Sequence, residues 1–297
     1  MDRLSVGIAF EGSVLYYAEI EHQPLARRLV RLGSCEFSFP LEPVLLGPSP
    51  PPGQLDTVRQ ALESVLGRSL SRRLTVSAPL SALPHAFIPL PPDASPQEQA
   101  RSAWWELERL YPVLEPSKHR LRCYTHHRPD EAGAVLAVAV SEALYERWRE
   151  LVRPLAVKSI HIAPTLVAAE RAFEVSFGER QEQAILLVGA YHEYTEVALR
   201  WQSAWAAAAS YPVGDALNAL YFGLRLLEAH RIGLSHLGRV YYYTNAEESA
   251  FGQTREVLRC PIEPLDPFAG LVLQRHRLPP DLPLSTYTLP IGAALGL

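Results

Sequence analysis

The stretch Leu4 to Ile20, LSVGIAFEGSVLYYAEI, decides how the rest of the chain is read. Val6 and Ile8 alternate with small residues up to Glu11, Gly12 and Ser13, and Val14, Tyr16 and Ala18 resume the alternation. A period of two on either side of a polar break predicts two strands joined by a tight turn, and Gly12 allows the reversal. The pattern returns at Ala184 to Leu199, AILLVGAYHEYTEVAL, where an apolar strand reaches Gly189, turns through polar residues and comes back through Val197 and Leu199. Two such units far apart predict a duplicated domain.

Around these hairpins the composition sets limits. A chain of 297 residues with 48% hydrophobic content can bury a substantial core, as one large domain or as two lobes. A net charge of −4 and a pI near 6.2 give no general attraction to nucleic acid or anionic lipid. Arg68, Arg72 and Arg73 form the best local basic patch, and a solvated helix end is its ordinary explanation. Cys35, Cys123 and Cys260 are odd in number and lack CxxC spacing, which fits a reducing compartment and points to neither a disulfide framework nor a zinc site. MDRLSVGIAF has no signal-peptide core, and apolar runs such as Ala134 to Val140 are too short to span a bilayer, so the expectation is a soluble protein.

Taken in order, Leu29 to Phe39 reads as a third strand, PSPPPG at Pro48 to Gly53 as a surface loop, Gln54 to Leu70 as a helix and Leu74 to Ala78 as a strand. The next segment has its own α/β pattern, with strands at Ala86 to Leu90, Leu121 to His126 and Ala134 to Val140. Its first helix opens on Ser95, Pro96, Gln97 and Glu98, a capping-box spacing with proline at the first helical position. Its second helix starts at Ser141. A strand at Val157 to Ile162 and a helix from Pro164 lead to the second hairpin. Beyond it come a strand at Trp201 to Tyr211 around an alanine run, a helix over Asp215 to Leu227, a strand at Arg239 to Tyr243 and a helix through Phe251, Val257 and Leu258.

This order, with the α/β segment between the fourth strand and Val157, resembles the actin, Hsp70 and sugar-kinase superfamily. Within it the chain is similar to the family of the type IV pilus assembly protein PilM, related to FtsA and the cytoplasmic part of GspL. LDPFAGL after Pro261 and the closing PIGAALGL carry the resemblance to the C-terminus. It implies an α/β, actin-like (ribonuclease H-like, duplicated) two-lobed fold with an FtsA/PilM-type insert. Residues 1–178 would form the first lobe, with the insert at 84–155, and residues 179–297 the second, its C-terminal helix returning to the first.

In that family the hairpins are phosphate loops opening on Asp-x-Gly. Here the matching positions read Ala9, Phe10, Glu11 and Leu187, Val188, Gly189, so the aspartates that would organise Mg2+ and water are absent. Thr244 and Asn245 replace the Gly-Gly pair that admits adenosine, and their side chains restrict close approach. Val213, Gly214 and Asp215 keep part of a Gly-Gly-Asp start. The implied cleft of Ala9, Glu11, Gly12, Ser13, Gly189, Thr244 and Asn245 is thus degenerate, and the Glu11 carboxylate would repel phosphates. No catalytic residue, metal site or cofactor is expected, and ATP with Mg2+ is disfavoured.

The resemblance further implies a cytoplasmic scaffold of a type IV pilus or type II secretion inner-membrane complex. It would bind the cytoplasmic tail of a PilN-type membrane protein in a groove between first lobe and insert, with Phe87, Ile88 and Trp105 as candidates. Homo-oligomers or pilus motor components are further partners, and the membrane is reached only through a partner. One alternative is an actin-like ATPase or kinase whose Mg2+ is held by Glu11, Glu193 and Glu196, since oxygen ligands suffice for that ion. Another is an adaptor of an unrelated membrane assembly. His192, Glu193 and Glu196 lack the HExxH spacing and read as a polar loop, while the adjacent His126 and His127 would face opposite sides of a strand.

Overall fold

In the first hairpin β1 (Leu4–Glu11) runs antiparallel to β2 (Val14–His22), with Glu11 opposite Val14 and Gly12 at φ 56° in the turn. The computed structural model describes residues 3–91, 93–126, 133–178, 183–202, 204–244, 258, 260–273 and 283–296. β3 (Arg27–Glu36) pairs with β2. The chain then passes through a short α1 (Leu41–Leu45) and α2 (Gln54–Leu66) to β4 (Arg73–Ala78), which lies parallel to β1. On α2, Val58, Leu62 and Leu66 recur every four residues and are buried, so one face of the helix covers the sheet.

After β4 the chain leaves this sheet and builds a second from β5 (His85–Leu90), β6 (His119–His126) and β7 (Gly133–Ser141), in the order β5-β7-β6. α3 (Pro96–Leu110) and α4 (Glu142–Leu151) accompany it. The capping box at the start of α3 forms in full: Ser95 Oγ accepts from Glu98 N while the Glu98 carboxylate accepts from Ser95 N. Ser141 caps α4 by the serine half of this arrangement alone, its Oγ accepting from Leu144 N. β8 (Ser159–Pro164) then returns beside β4, which completes a sheet in the order β3-β2-β1-β4-β8.

α5 (Thr165–Phe177) leads to the second hairpin, β9 (Ala184–Ala190) and β10 (Thr195–Trp201), followed by β11 (Ala204–Tyr211), α6 (Ala216–Ala229), β12 (Leu237–Tyr242) and β13 (Ile262–Pro264). The sheet order is β11-β10-β9-β12-β13. Both five-stranded sheets therefore repeat one plan: three antiparallel strands, a helical crossover, then parallel strands on the far side of the first. The duplication read from the two hairpins is present, and the fold is α/β, actin-like and two-lobed.

α7 (Thr288–Ala294) packs against α5, β1 and β2. A Cβ on Gly7 would collide with Pro290 O, and one on Gly292 with Ala168 O, so glycine lets backbone meet backbone at both contacts.

Several boundaries differ from expectation. β3 ends at Glu36, and Phe37 turns into the core. Leu70 lies beyond the end of α2 at Leu66, and Trp201 belongs to β10, across a turn from the alanine-rich β11. α1 was not anticipated. The expected helix through Phe251 and Val257 falls almost wholly outside the described residues, as do His127 and Asn245.

Candidate functional site

The two hairpin turns face the space between the lobes, and both are filled by the protein itself. In the first, Gly12 O accepts from Leu41 N at 2.8 Å and Ser13 O from Phe37 N at 2.9 Å, so the start of α1 holds the turn. Ala9 is buried behind it. Burial pushes the Glu11 carboxyl up to about 7, with the neighbouring Glu42 charge adding to the shift. Glu42 is raised as well, first by burial and then by Glu193, which comes from the other hairpin.

In the second hairpin, Tyr191 and Tyr194 are buried and stacked with ring centroids 4.3 Å apart. Gly189 lies under Tyr243, and even a Cβ there would come 2.7 Å from the phenol ring. Thr244, in the place of an adenosine-contacting glycine, is buried and its Oγ1 accepts from Ala190 N at 3.2 Å. Gly214 closes against the His192 backbone, and Asp215, at φ 97°, caps α6 by accepting from Asn218 N.

Glu196 joins these parts. It lies fully buried on β10, and its carboxylate accepts from Leu80 N at 2.6 Å, from Tyr243 Oη at 2.9 Å and from Thr165 Oγ1. Leu80 follows β4 in the first lobe, Thr165 opens α5 and Tyr243 follows β12 in the second lobe. One carboxylate thereby ties both lobes to the helix between them. Burial raises its pKa, and the hydrogen bonds from Thr165, Leu80 and Tyr243 oppose the rise.

Glu196 was expected in a polar loop with His192 and Glu193. Those two are indeed exposed at the turn, whereas Glu196 is committed to protein donors on the strand behind them. The relocated Mg2+ set of Glu11, Glu193 and Glu196 is not assembled, and among the described residues no group of three His, Cys, Asp or Glu is placed to hold a metal. Nor do the residues at the turns fit a nucleotide's phosphates. At the first turn stands the Glu11 carboxyl beside Glu42, which repels phosphates whenever it is ionised, and the Tyr243 ring lies against Gly189.

At the insert, Phe87, Ile88 and Trp105 do not converge. Phe87 packs on the main core, while Ile88, the next residue on β5, faces the opposite side with Trp104 and Leu107 of the insert's own core. Trp105 is 66% exposed on α3. A different concavity lies where first lobe and insert meet: an open groove of about 690 Å3 between α2 and α4, lined by Pro50, Leu55, Ala143, Arg147, Glu150 and Arg153. Arg147 Nη1 donates to Leu45 O at 3.0 Å and so fixes part of the wall. The groove escaped the sequence reading because its walls come from residues nearly a hundred positions apart.

The protein-family models and the curated proteins contain no match to this chain. Among solved structures, a chain of the PilM-PilN type IV pilus biogenesis complex is similar over 98% of this chain and 96% of its own length, at 16% identity and a TM-score of 0.70. The chain has a PilM-type actin-like fold. A Bacteroides thetaiotaomicron protein described as having an actin-like ATPase fold and unknown function matches at 7% identity, covering 88% of this chain and 91% of that one, with a TM-score of 0.57. The likeness to the first of these runs over nearly the whole of both chains.

Proposed function

We propose that this chain is a PilM-like scaffold of a type IV pilus or type II secretion inner-membrane complex, binding the cytoplasmic tail of a PilN-type membrane protein and hydrolysing no ATP. The observation that carries this reading is a PilM-type fold whose interlobe turns are filled by Glu11, Tyr191, Tyr194 and Tyr243. A protein that has given its cleft to packing keeps the fold as a rigid frame. The absence of a membrane-spanning helix among the described residues suits a role reached through a tail, on the cytoplasmic side of the membrane.

The α2–α4 groove is the candidate tail site: Leu55 and Ala143 offer apolar wall, and Arg147, Arg153 and Glu150 offer polar anchors for an extended peptide. Fluorescence anisotropy with labelled N-terminal peptides of PilN-type proteins tests it. Binding should be lost in Leu55→Glu and kept in Trp105→Ala. Equal binding by Leu55→Glu and the unaltered protein would move the site elsewhere; no binding to any such peptide would remove the scaffold reading.

A further inference from the structure

Strand register brings Arg3, Arg27 and Lys158, from distant parts of the sequence, to the local patch of Arg68, Arg72 and Arg73. β1, β4 and β8 begin, and β2 ends, at one edge of the first-lobe sheet: Ser5 is paired with Arg73, Arg73 with Ser159, and His22 with Arg27 where β3 begins. Arg3 belongs to the same edge, since its carbonyl accepts from His22 N at 2.6 Å. Lys158 N donates to Arg72 O, and Arg68 O accepts from Arg31 Nη2 at 3.0 Å. Arg3, Arg27, Arg68, Arg72, Arg73 and Lys158 are all exposed there. Among the described residues, β2 brings two carboxylates to this edge, and each is matched locally: Glu19 is buried against Arg31, and Glu21 is paired with Arg28. A chain of net charge −4 therefore concentrates positive charge on one edge.

Two leucines stand out from the same edge. Leu25, at the tip of the β2–β3 turn closed by Gln23 N to Ala26 O, is 100% exposed, and Leu70, just before β4, is 78% exposed. With strands about 4.8 Å apart, they are separated by two to three strand widths, roughly 12 Å, with arginines between and around them. Neither leucine serves the core. Apolar tips within a cationic rim match a surface that presents both negative phosphates and an apolar layer just beneath them. Duplex nucleic acid or a soluble acidic peptide would meet the arginines and leave the leucines in water.

We propose that this edge docks on an anionic lipid bilayer, with Leu25 and Leu70 entering the headgroup layer and the surrounding arginines meeting lipid phosphates. The contact is weak and reversible, since two side chains and a basic rim make a shallow anchor, and it would orient the first lobe against the membrane. It goes beyond the scaffold reading, in which the membrane is reached through a partner.

Co-sedimentation of the full chain with vesicles of phosphatidylcholine, with and without phosphatidylglycerol, tests the proposal. Binding is expected with phosphatidylglycerol alone and should fall as salt is raised. The combined Arg27→Glu, Arg68→Glu and Arg73→Glu variant should bind at least about tenfold more weakly. Leu25→Ser with Leu70→Ser should bind severalfold more weakly in the same salt; all five positions are exposed, and unchanged melting confirms folding. No binding by the unaltered protein overturns the proposal, as does binding indifferent to the leucines. Equal binding to duplex DNA or polyglutamate that ignores the leucines would assign the edge to a soluble polyanion instead. No tail peptide enters the assay, so its failure leaves the scaffold reading untouched.

Discussion

Thr165 Oγ1 lies within 2.7 Å of both carboxylate oxygens of Glu196, although the two residues are 31 positions apart and on different elements. The contact sets the first residue of α5 against β10, and Leu80 N brings in the first lobe at 2.6 Å. Closure of the cleft is therefore a hydrogen-bonded arrangement as well as an apolar one.

Removing that carboxylate strands three buried donors at once. Glu196→Ala is expected to cost about 3–5 kcal/mol in urea unfolding, as removal of one partner from a buried polar network does. Glu196→Gln keeps an acceptor and the shape of the side chain, so it should cost less than half as much. Equal losses would mean that Glu196 matters for packing and not as an acceptor.

Glu11 gives the protein a pH dependence of predictable sign. Its carboxyl titrates near 7 in the folded chain against 4.5 as the ordinary value, so between those limits the folded state holds the extra proton. Stability then falls as pH rises from about 4.5 to 7 and levels off above, by at most about 3 kcal/mol from this group. Glu42, Glu170 and Glu196 are shifted in the same direction and steepen the total profile. Glu11→Gln should flatten the portion below pH 7 relative to the unaltered chain; parallel profiles would assign the slope wholly to the other carboxyls.

Millimolar Mg-ATP or Mg-ADP should leave the melting temperature unchanged, because the approach to Gly189 is held by the Tyr243 ring. A ligand at about 100 times its dissociation constant would add about 2.7 kcal/mol, which a melt resolves easily. An upward shift would reopen the cleft as a nucleotide site and contradict the packing argument.

The sequence disclosed what depends on neighbours along the chain. Strand period, the Gly12 turn and the Ser95–Glu98 capping box are local, and each is found in the structure. So is the repeated strand order, since each hairpin is followed by a helix and a parallel strand. Glu196 was misread because its donors at Leu80 and Thr165 are remote, and HEYTE by itself has the composition of a turn. The separation of Phe87 from Ile88 follows from strand alternation and was available at the outset, but which face meets the main core depends on how the insert packs. Arg27 and Arg73 were legible as charges; that they share an edge follows only from register.

Gly7 offers the sharpest test of how the C-terminal helix is held. Its backbone lies against Pro290 and Ala294, and Ser5 Oγ, two residues earlier, donates to Ala294 O while also contacting His22 Nε2 at 2.7 Å. A methyl at Gly7 has no flexible side chain to push aside, so either β1 or α7 must move. Gly7→Ala should destabilise the protein by about 3 kcal/mol or more, at the upper end of overpacking effects. It should also speed proteolysis after Leu284 if α7 is what gives way. The control is Gly12→Ala, where a Cβ meets nothing within 4 Å and the cost is only that of φ 56° for a residue with a side chain, about 1 kcal/mol. Gly7 itself is in extended strand backbone, so a loss in Gly7→Ala no larger than that in Gly12→Ala would mean that β1 and α7 absorb the methyl and that the close contact is not what requires glycine.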